Sequence, residues 1–215
     1  MSNNKTELVF ILDKSGSMHH LESDTIGSFN GLIDKQKREA GTALITTVLF
    51  NTSVKILHDR MDLQEVSLMT NKDYCPSGGT ALLDAVGTTL RNVRHSYNDQ
   101  LKEERPNKVM FIIITDGMEN ASREFTYKKV KEEIEKAKEK YDWEFLFIGA
   151  NIDAVKEGSK FGIREDRSVR YHADTKGNEV IYSALEETMT NYRSGKKIEK
   201  NWNKKITEDF LKRTK

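Results

Sequence analysis

Five oxygen-bearing residues stand at three points where apolar segments give way to polar ones. Asp13, Ser15 and Ser17 lie in the stretch Asp13-Lys14-Ser15-Gly16-Ser17, directly after the apolar run at 7–12. Asp116 lies in Thr115-Asp116-Gly117, directly after the apolar run at 109–114. Between them Thr80 closes Ser77-Gly78-Gly79-Thr80, ahead of a helix-like segment. Collected in space, these residues offer two carboxylates and three hydroxyls, with almost no nitrogen or sulfur. Such an oxygen-rich set suits a hard cation, Mg²⁺ first and Mn²⁺ or Ca²⁺ next. The two carboxylates match the charge of one divalent ion, and Gly16 permits a turn tight enough for both serines to point inward. A Ser-Gly-Ser stretch alone is more often a plain loop than a ligand set; it is the combination with Thr80 and Asp116 that points to metal binding.

The elements that must position these residues follow from periodicity. The run at 7–12 reads as a buried strand ending in a functional loop. Residues 21–37 carry Ile26, Phe29 and Ile33 at helical spacing, and 43–50, rich in β-branched and aromatic residues, reads as a strand. Asn51-Thr52 looks like a tight turn into 53–57, which implies a hairpin and one antiparallel strand. Leu83, Val86, Leu90 and Val93 mark the buried face of a second helix. The run at 109–114 is apolar throughout, as in a central strand covered on both faces. A charged helix with Val130, Ile134, Ala137 and Tyr141 on one face follows, then a strand at 143–148, a short helix at 153–160, a weak edge strand at 168–171 and a helix at 178–192. Alternating strands and helices predict an α/β fold: a doubly wound, mostly parallel sheet with one antiparallel edge strand, helices on both faces and right-handed crossovers. Ligands in such sheets collect at the carboxyl ends of the strands, near the point where strand order reverses, which is where Asp13 and Asp116 fall.

The pattern Asp13, Ser15, Ser17, then Thr80, then Asp116 resembles the metal-ion-dependent adhesion site (MIDAS) of von Willebrand factor type A (VWA) domains, with no element missing. Phe50, the stretch Gly-Gly-Thr-Ala-Leu-Leu-Asp-Ala at 78–85 and Ile-Thr-Asp-Gly at 114–117 extend the likeness, which covers roughly residues 6–192. The resemblance implies a Rossmann-like fold, cation binding through the hydroxyls of Ser15, Ser17 and Thr80, and direct or water-mediated binding by Asp13 and Asp116. It also implies one open coordination position, filled by an Asp or Glu of a partner protein. Mg²⁺ keeps several waters and exchanges one for an external anionic oxygen, in keeping with that role. Intracellular members of this type act as adaptors beside AAA+ ATPases or in stress-related operons, so the resemblance implies a stand-alone bacterial protein-binding module rather than an enzyme.

Composition is compatible with this. A chain of 215 residues makes one sizeable domain. Charged residues are 32% and mean hydropathy is −0.68; no apolar run approaches the ~20 residues of a membrane span. The polar start, without a signal-peptide core, and the single cysteine, Cys75, point to a reducing, cytoplasmic location. One cysteine also rules out an intramolecular disulfide and a Cys-based zinc site. Net charge is +1, but residues 195–215 hold eight Lys/Arg against three Asp/Glu. Dividing the chain at that shift gives a VWA domain at 1–194 and a basic amphipathic tail at 195–215. There Ile198, Trp202, Ile206 and Phe210 recur every fourth residue, which predicts a helix whose apolar stripe packs on the domain's own surface.

The remaining polar residues read more plainly. Asp84, one turn beyond Thr80, is expected to hydrogen-bond nearby loops. Glu119 and Asn120, close behind Asp116, read as a solvated turn in preference to residues of the site rim, and His19 and His20 as exposed helix-start residues. Cys75 reads as an inert thiol; His58, His95 and His172 carry no assignment. Asp13 is expected to lie in a surface loop, so that its replacement leaves the fold intact. A Mg²⁺-dependent hydrolase is the competing class, but the second Asp of haloacid-dehalogenase-like phosphatases is replaced by Ser15, and neither a Walker A loop nor a Gly-x-Ser-x-Gly elbow occurs. Nucleic-acid or membrane-surface binding rests on the basic tail alone, which makes a nucleic-acid partner unlikely.

Overall fold

In the computed structural model, which describes residues 5–214, six strands form one sheet: β1 (Lys5–Asp13), β2 (Thr42–Phe50), β3 (Val54–Asp62), β4 (Lys108–Thr115), β5 (Glu144–Ala150) and β6 (Ser168–Tyr171). Their order is β3-β2-β1-β4-β5-β6, and every neighbouring pair is parallel except β2 and β3. Six helices cover it: α1 (Glu22–Lys37), α2 (Leu82–Asp99), α3 (Tyr127–Tyr141), α4 (Ala154–Lys160), α5 (Thr175–Arg193) and α6 (Lys204–Arg213). This is the doubly wound α/β architecture the sequence predicts.

The apolar strands explain the layering. Leu8, Phe10 and Leu12 of β1 pack under α1 and α5 with Phe29, Ile33, Ile181, Leu185 and Met189. Val9 and Ile11, on the opposite face, pack under α2 and α3 with Val86, Leu90, Val130 and Ile134. Both faces of β1 and β4 are therefore covered, and runs without polar alternation are the consequence. Side-chain oxygens set the start of several helices. Thr126, Asp153 and Asp174 accept from backbone N–H groups of Lys129, Lys156 and Gly177 at the heads of α3, α4 and α5.

Two elements differ from expectation. β3 runs beyond residue 57 to Asp62, and His58 and Arg60 in this extension find partners within the protein. His58 is buried, contacts Thr47 Oγ1 at 3.0 Å and lies parallel to Phe29 at 6.4 Å. Arg60, in a left-handed conformation (φ 48°), reaches back to Glu7, and the β2–β3 register slips between Ile45 and Val48. In the tail, the helix begins only at Lys204, so half of the four-residue stripe precedes it. The stripe still packs inward. Ile198 and Ile206 are buried in the α1/α5 core, Trp202 packs against it, and Phe210 stacks on His172 at 4.5 Å. Lys204, Lys205 and Lys212 face outward.

Glu7 sits on β1 at the end remote from Asp13 and is fully buried. Thr46 Oγ1 donates to it at 3.3 Å, and Arg60 Nη1 lies 2.9 Å from Oε2 without the alignment of a hydrogen bond. Burial outweighs the Arg60 charge and pushes the carboxyl up to about 7. The folded state therefore holds a proton that the unfolded chain releases near pH 4.5. Stability from this group is full below that pH and falls as pH rises to about 7, by about 3 kcal/mol. Urea unfolding from pH 4.5 to 7.5 should show this decline in the wild type and a flatter profile in Glu7→Gln; parallel profiles would assign the slope to other groups.

Candidate metal centre

Strand order reverses between β1 and β4, so the connections leaving their carboxyl ends diverge and open a crevice there. Asp13 is the last residue of β1, and Asp116 follows the last residue of β4. The structure brings their side chains into one hydrogen-bonded chain. Ser15 N donates to Asp13 Oδ1 at 2.7 Å, Ser15 Oγ and Ser17 Oγ lie 3.2 Å apart, and Ser17 Oγ donates to Asp116 Oδ1 at 2.7 Å. Thr115 Oγ1 donates to the other oxygen of Asp13 at 2.6 Å.

Thr80 enters from the far side, at the head of α2. Its N–H donates to Asn120 Oδ1 at 2.8 Å and its carbonyl accepts from Asn120 N at 3.0 Å, which clamps it to the β4–α3 connection. Its hydroxyl lies beside Gly117, where an added Cβ would stand 3.4 Å from Oγ1. The neighbouring glycines are a steric requirement. Gly78 has φ +71°, and a Cβ on Gly79 would come within 2.7 Å of Asn120 Oδ1. Backbone bonds from Gly16 N to Gly78 O (3.0 Å) and from Ser77 N to Lys14 O (2.9 Å) join the serine loop to the threonine loop.

Burial dominates the electrostatics. Asp13 is 1% and Asp116 2% exposed, whereas Ser17 opens to solvent. Desolvation pushes the Asp13 carboxyl up to about 6 against the pull of its hydrogen bonds to Thr115 and Ser15, and raises Asp116 as well. Asp116 Oδ2 is buried without a hydrogen-bond partner. A cation would relieve both features: it would stabilise the two anions and satisfy the orphaned oxygen. The donor set therefore fits a hard divalent ion. Among the described residues no three His, Cys, Asp or Glu side chains gather as a metal cluster, because three of the five donors here are hydroxyls.

Several expectations need correction. Asp13 does not lie in a surface loop; it ends β1, buried and with its carboxylate hydrogen-bonded to Ser15 and Thr115, which makes alanine there a structural as well as a chemical change. Glu119 and Asn120 are not a merely solvated turn. Glu119 accepts from Leu83 N at 2.8 Å and from Ala121 N and Ser122 N, capping α2, and Asn120 holds Thr80. Asp84 does bind the nearby loop, accepting from the N–H groups of Arg123, Glu124 and Phe125. His19 is exposed as expected; Cys75 is a free, exposed thiol. His20 is exposed yet engaged, its Nδ1 2.9 Å from Ser17 O and its Nε2 2.9 Å from Ala173 O at the β6–α5 turn. Tyr74, unmarked by any sequence spacing, donates its buried hydroxyl to Asp13 O.

No family model matches the chain, and no curated protein matches it. Solved structures do. A von Willebrand factor type A protein from Catenulispora acidiphila aligns with 87% of this chain and 43% of its own, at TM-score 0.61 and 15% identity. Manganese-loaded TRAP protein from Plasmodium vivax aligns over 84% and 73%, at 0.54 and 18%. Proximal thread matrix protein 1 from the mussel byssus, with a zinc-occupied MIDAS motif, aligns over 88% and 47%, at 0.60 and 15%. At these identities the likeness is one of fold: the chain has the fold of a VWA domain. It spans less than half the length of the first and third of these proteins.

The Asp84 clamp is the part of this frame most open to a clean test. Asp84→Ala removes the acceptor of three N–H groups and should lower stability by about 2–3 kcal/mol. Hydrogen exchange should rise at 123–125 before it rises in β4; unchanged protection there would show that the loop is held by other contacts.

Proposed function

We propose that this protein is a metal-dependent protein-binding module, in which Asp13, Ser15, Ser17, Thr80 and Asp116 hold a divalent cation, Mg²⁺ first among the candidates. The observation that carries the reading is the continuous Asp13–Ser15–Ser17–Asp116 chain, which ends on Asp116 Oδ1 and leaves the other buried oxygen of that carboxylate, Oδ2, with no protein partner. When bound, the cation supplies an open coordination position to an anionic oxygen of another molecule. Asp13 and Asp116 bring the negative charge that retains the ion, either directly or through water. The hydroxyls of Ser15, Ser17 and Thr80 add donors without adding charge, so less of the ion's charge is cancelled than in an all-carboxylate shell and more of its pull is left for a partner's Asp or Glu. Thr115, Asn120 and Glu119 keep the donors in place.

Binding, rather than turnover, is the role this arrangement favours. The imidazole beside the serine loop, His20, has its ring nitrogens set against the backbone carbonyls of Ser17 and Ala173 rather than against the serine hydroxyls. Among the described residues no helix is long and apolar enough to cross a membrane. We place the protein in the cytoplasm as an adaptor for an acidic protein surface, with an AAA+ ATPase or a stress-operon product as the class of partner.

Calorimetric titration of metal-stripped protein with Mg²⁺ and Mn²⁺ tests the site. One ion should bind per chain. Asp13→Asn, which keeps the shape of the side chain, and Ser17→Ala, at an exposed position, should each weaken binding by about tenfold or more. Added acetate should tighten the metal's binding in the wild type. Full affinity in both variants would overturn the assignment.

A further inference from the structure

Behind the metal centre, on the face covered by α1 and α5, buried hydroxyls gather without partners. Sheet register places them. Thr115, the last residue of β4, pairs with Gly149, and Ala150 pairs with Tyr171, so Ala150 and Tyr171 share a row across β5 and β6, and Asp116, one residue beyond β4, follows at its end. Ala150 contributes only a methyl group. Thr25 from the first turn of α1 and Tyr182 from α5 close the space, and Tyr74 enters from the loop after β3. Tyr171 is 2%, Thr25 4% and Tyr182 5% exposed; the oxygens of Tyr171 and Tyr182 have no hydrogen-bond partner, and Thr25 Oγ1 comes within reach of the Tyr74 hydroxyl without a well-aligned bond. Tyr74, fully buried, lies next to Thr25 and within the electrostatic reach of Tyr171, Tyr182 and Asp13.

Buried hydroxyls are nearly always paired, with protein or with ordered water. Three orphans in separate parts of a core would be three separate defects; three around one phenol define a site. Its occupant must both donate and accept, fit between side chains and find two to four polar partners, which describes water. An anion is disfavoured by Asp13 and Asp116 close by. We propose that Thr25, Tyr171 and Tyr182 line an internal water site behind the metal centre, and that Tyr74 is the positioning residue that joins this water to Asp13. The Tyr74 hydroxyl uses its proton on Asp13 O, leaving its lone pairs to accept from the water or from Thr25. The end of β1, and with it the Asp13 carboxylate, is thus held from behind by a hydrated network.

The positioning half of this proposal rests on the metal reading above; the water half does not. A high-resolution crystal structure of metal-free protein should show at least one ordered water within hydrogen-bond distance of two of the three hydroxyls, and a dry space there would overturn the water site. Tyr74→Phe and Tyr171→Phe each delete one oxygen and keep the ring. Manganese titration should show about tenfold weaker binding in Tyr74→Phe and a smaller loss in Tyr171→Phe, with the thermal midpoint of metal-free Tyr171→Phe no lower than wild type. Wild-type affinity in both variants would overturn the positioning role. Absence of manganese binding by the wild type would remove that role together with the metal reading, whereas the crystallographic water would still stand or fall by itself.

Discussion

Two carboxylates, Asp13 and Asp116, are buried at the mouth of one crevice with hydroxyls as their hydrogen-bond partners. Much of the surrounding structure answers that constraint. A buried anion is tolerated only if donors are held in place to meet it, and here they come from the tight loop, through Ser15 and Ser17, and from Thr115 at the end of β4. Thr80, on the far side of the crevice, needs an anchor of its own, which Asn120, Glu119 and Asp84 supply by tying the head of α2 to the β4–α3 connection. The sheet order makes this arrangement available, because only the reversal between β1 and β4 leaves both strand ends unroofed by a crossing connection.

How much of this is legible in the sequence depends on whether a residue's role is written in its own neighbourhood. The strands 7–12 and 109–114 announce themselves by unbroken apolar runs, and the five oxygen donors by their places at segment ends, so fold class and candidate site both come through. The residues that hold the donors do not. Asn120 acts on Thr80 forty positions away, and Tyr74 on Asp13 sixty-one away. Their partners are fixed only once loops from different crossovers meet, and a loop tyrosine or asparagine carries no local mark of that. The extension of β3 is hidden for the same reason: His58 and Arg60 look like loop residues until Thr47 and Glu7 are seen beside them.

The tail shows a spacing that predicts burial better than it predicts conformation. Its stripe does face inward, yet Ile198 and Trp202 reach the core from irregular chain, with Trp202 Nε1 donating to Asp166 O at 2.9 Å. Four-residue spacing needs only that successive apolar groups land on one side, and a loop pinned by a few hydrogen bonds does this as well as a helix. Helix α6 then returns along α5, and its end meets the β6–α5 turn. There Arg213 pairs with Asp174, and His172 contacts Phe210 O at 3.2 Å. That turn also carries Ala173, the partner of His20.

The irregularity of β3 bears on how these molecules behave toward one another. An open sheet has two unpaired edges, each a template on which another chain's strand can add. On one side the edge is β3, where the slipped register, the left-handed Arg60 and the charged Lys55 and Asp59 break the straight ladder that a visiting strand would need. On the other it is β6, only four residues long and flanked by α4 and α6. Both edges thus discourage growth of the sheet from molecule to molecule, which protects a chain with so apolar a centre from aggregating through its backbone.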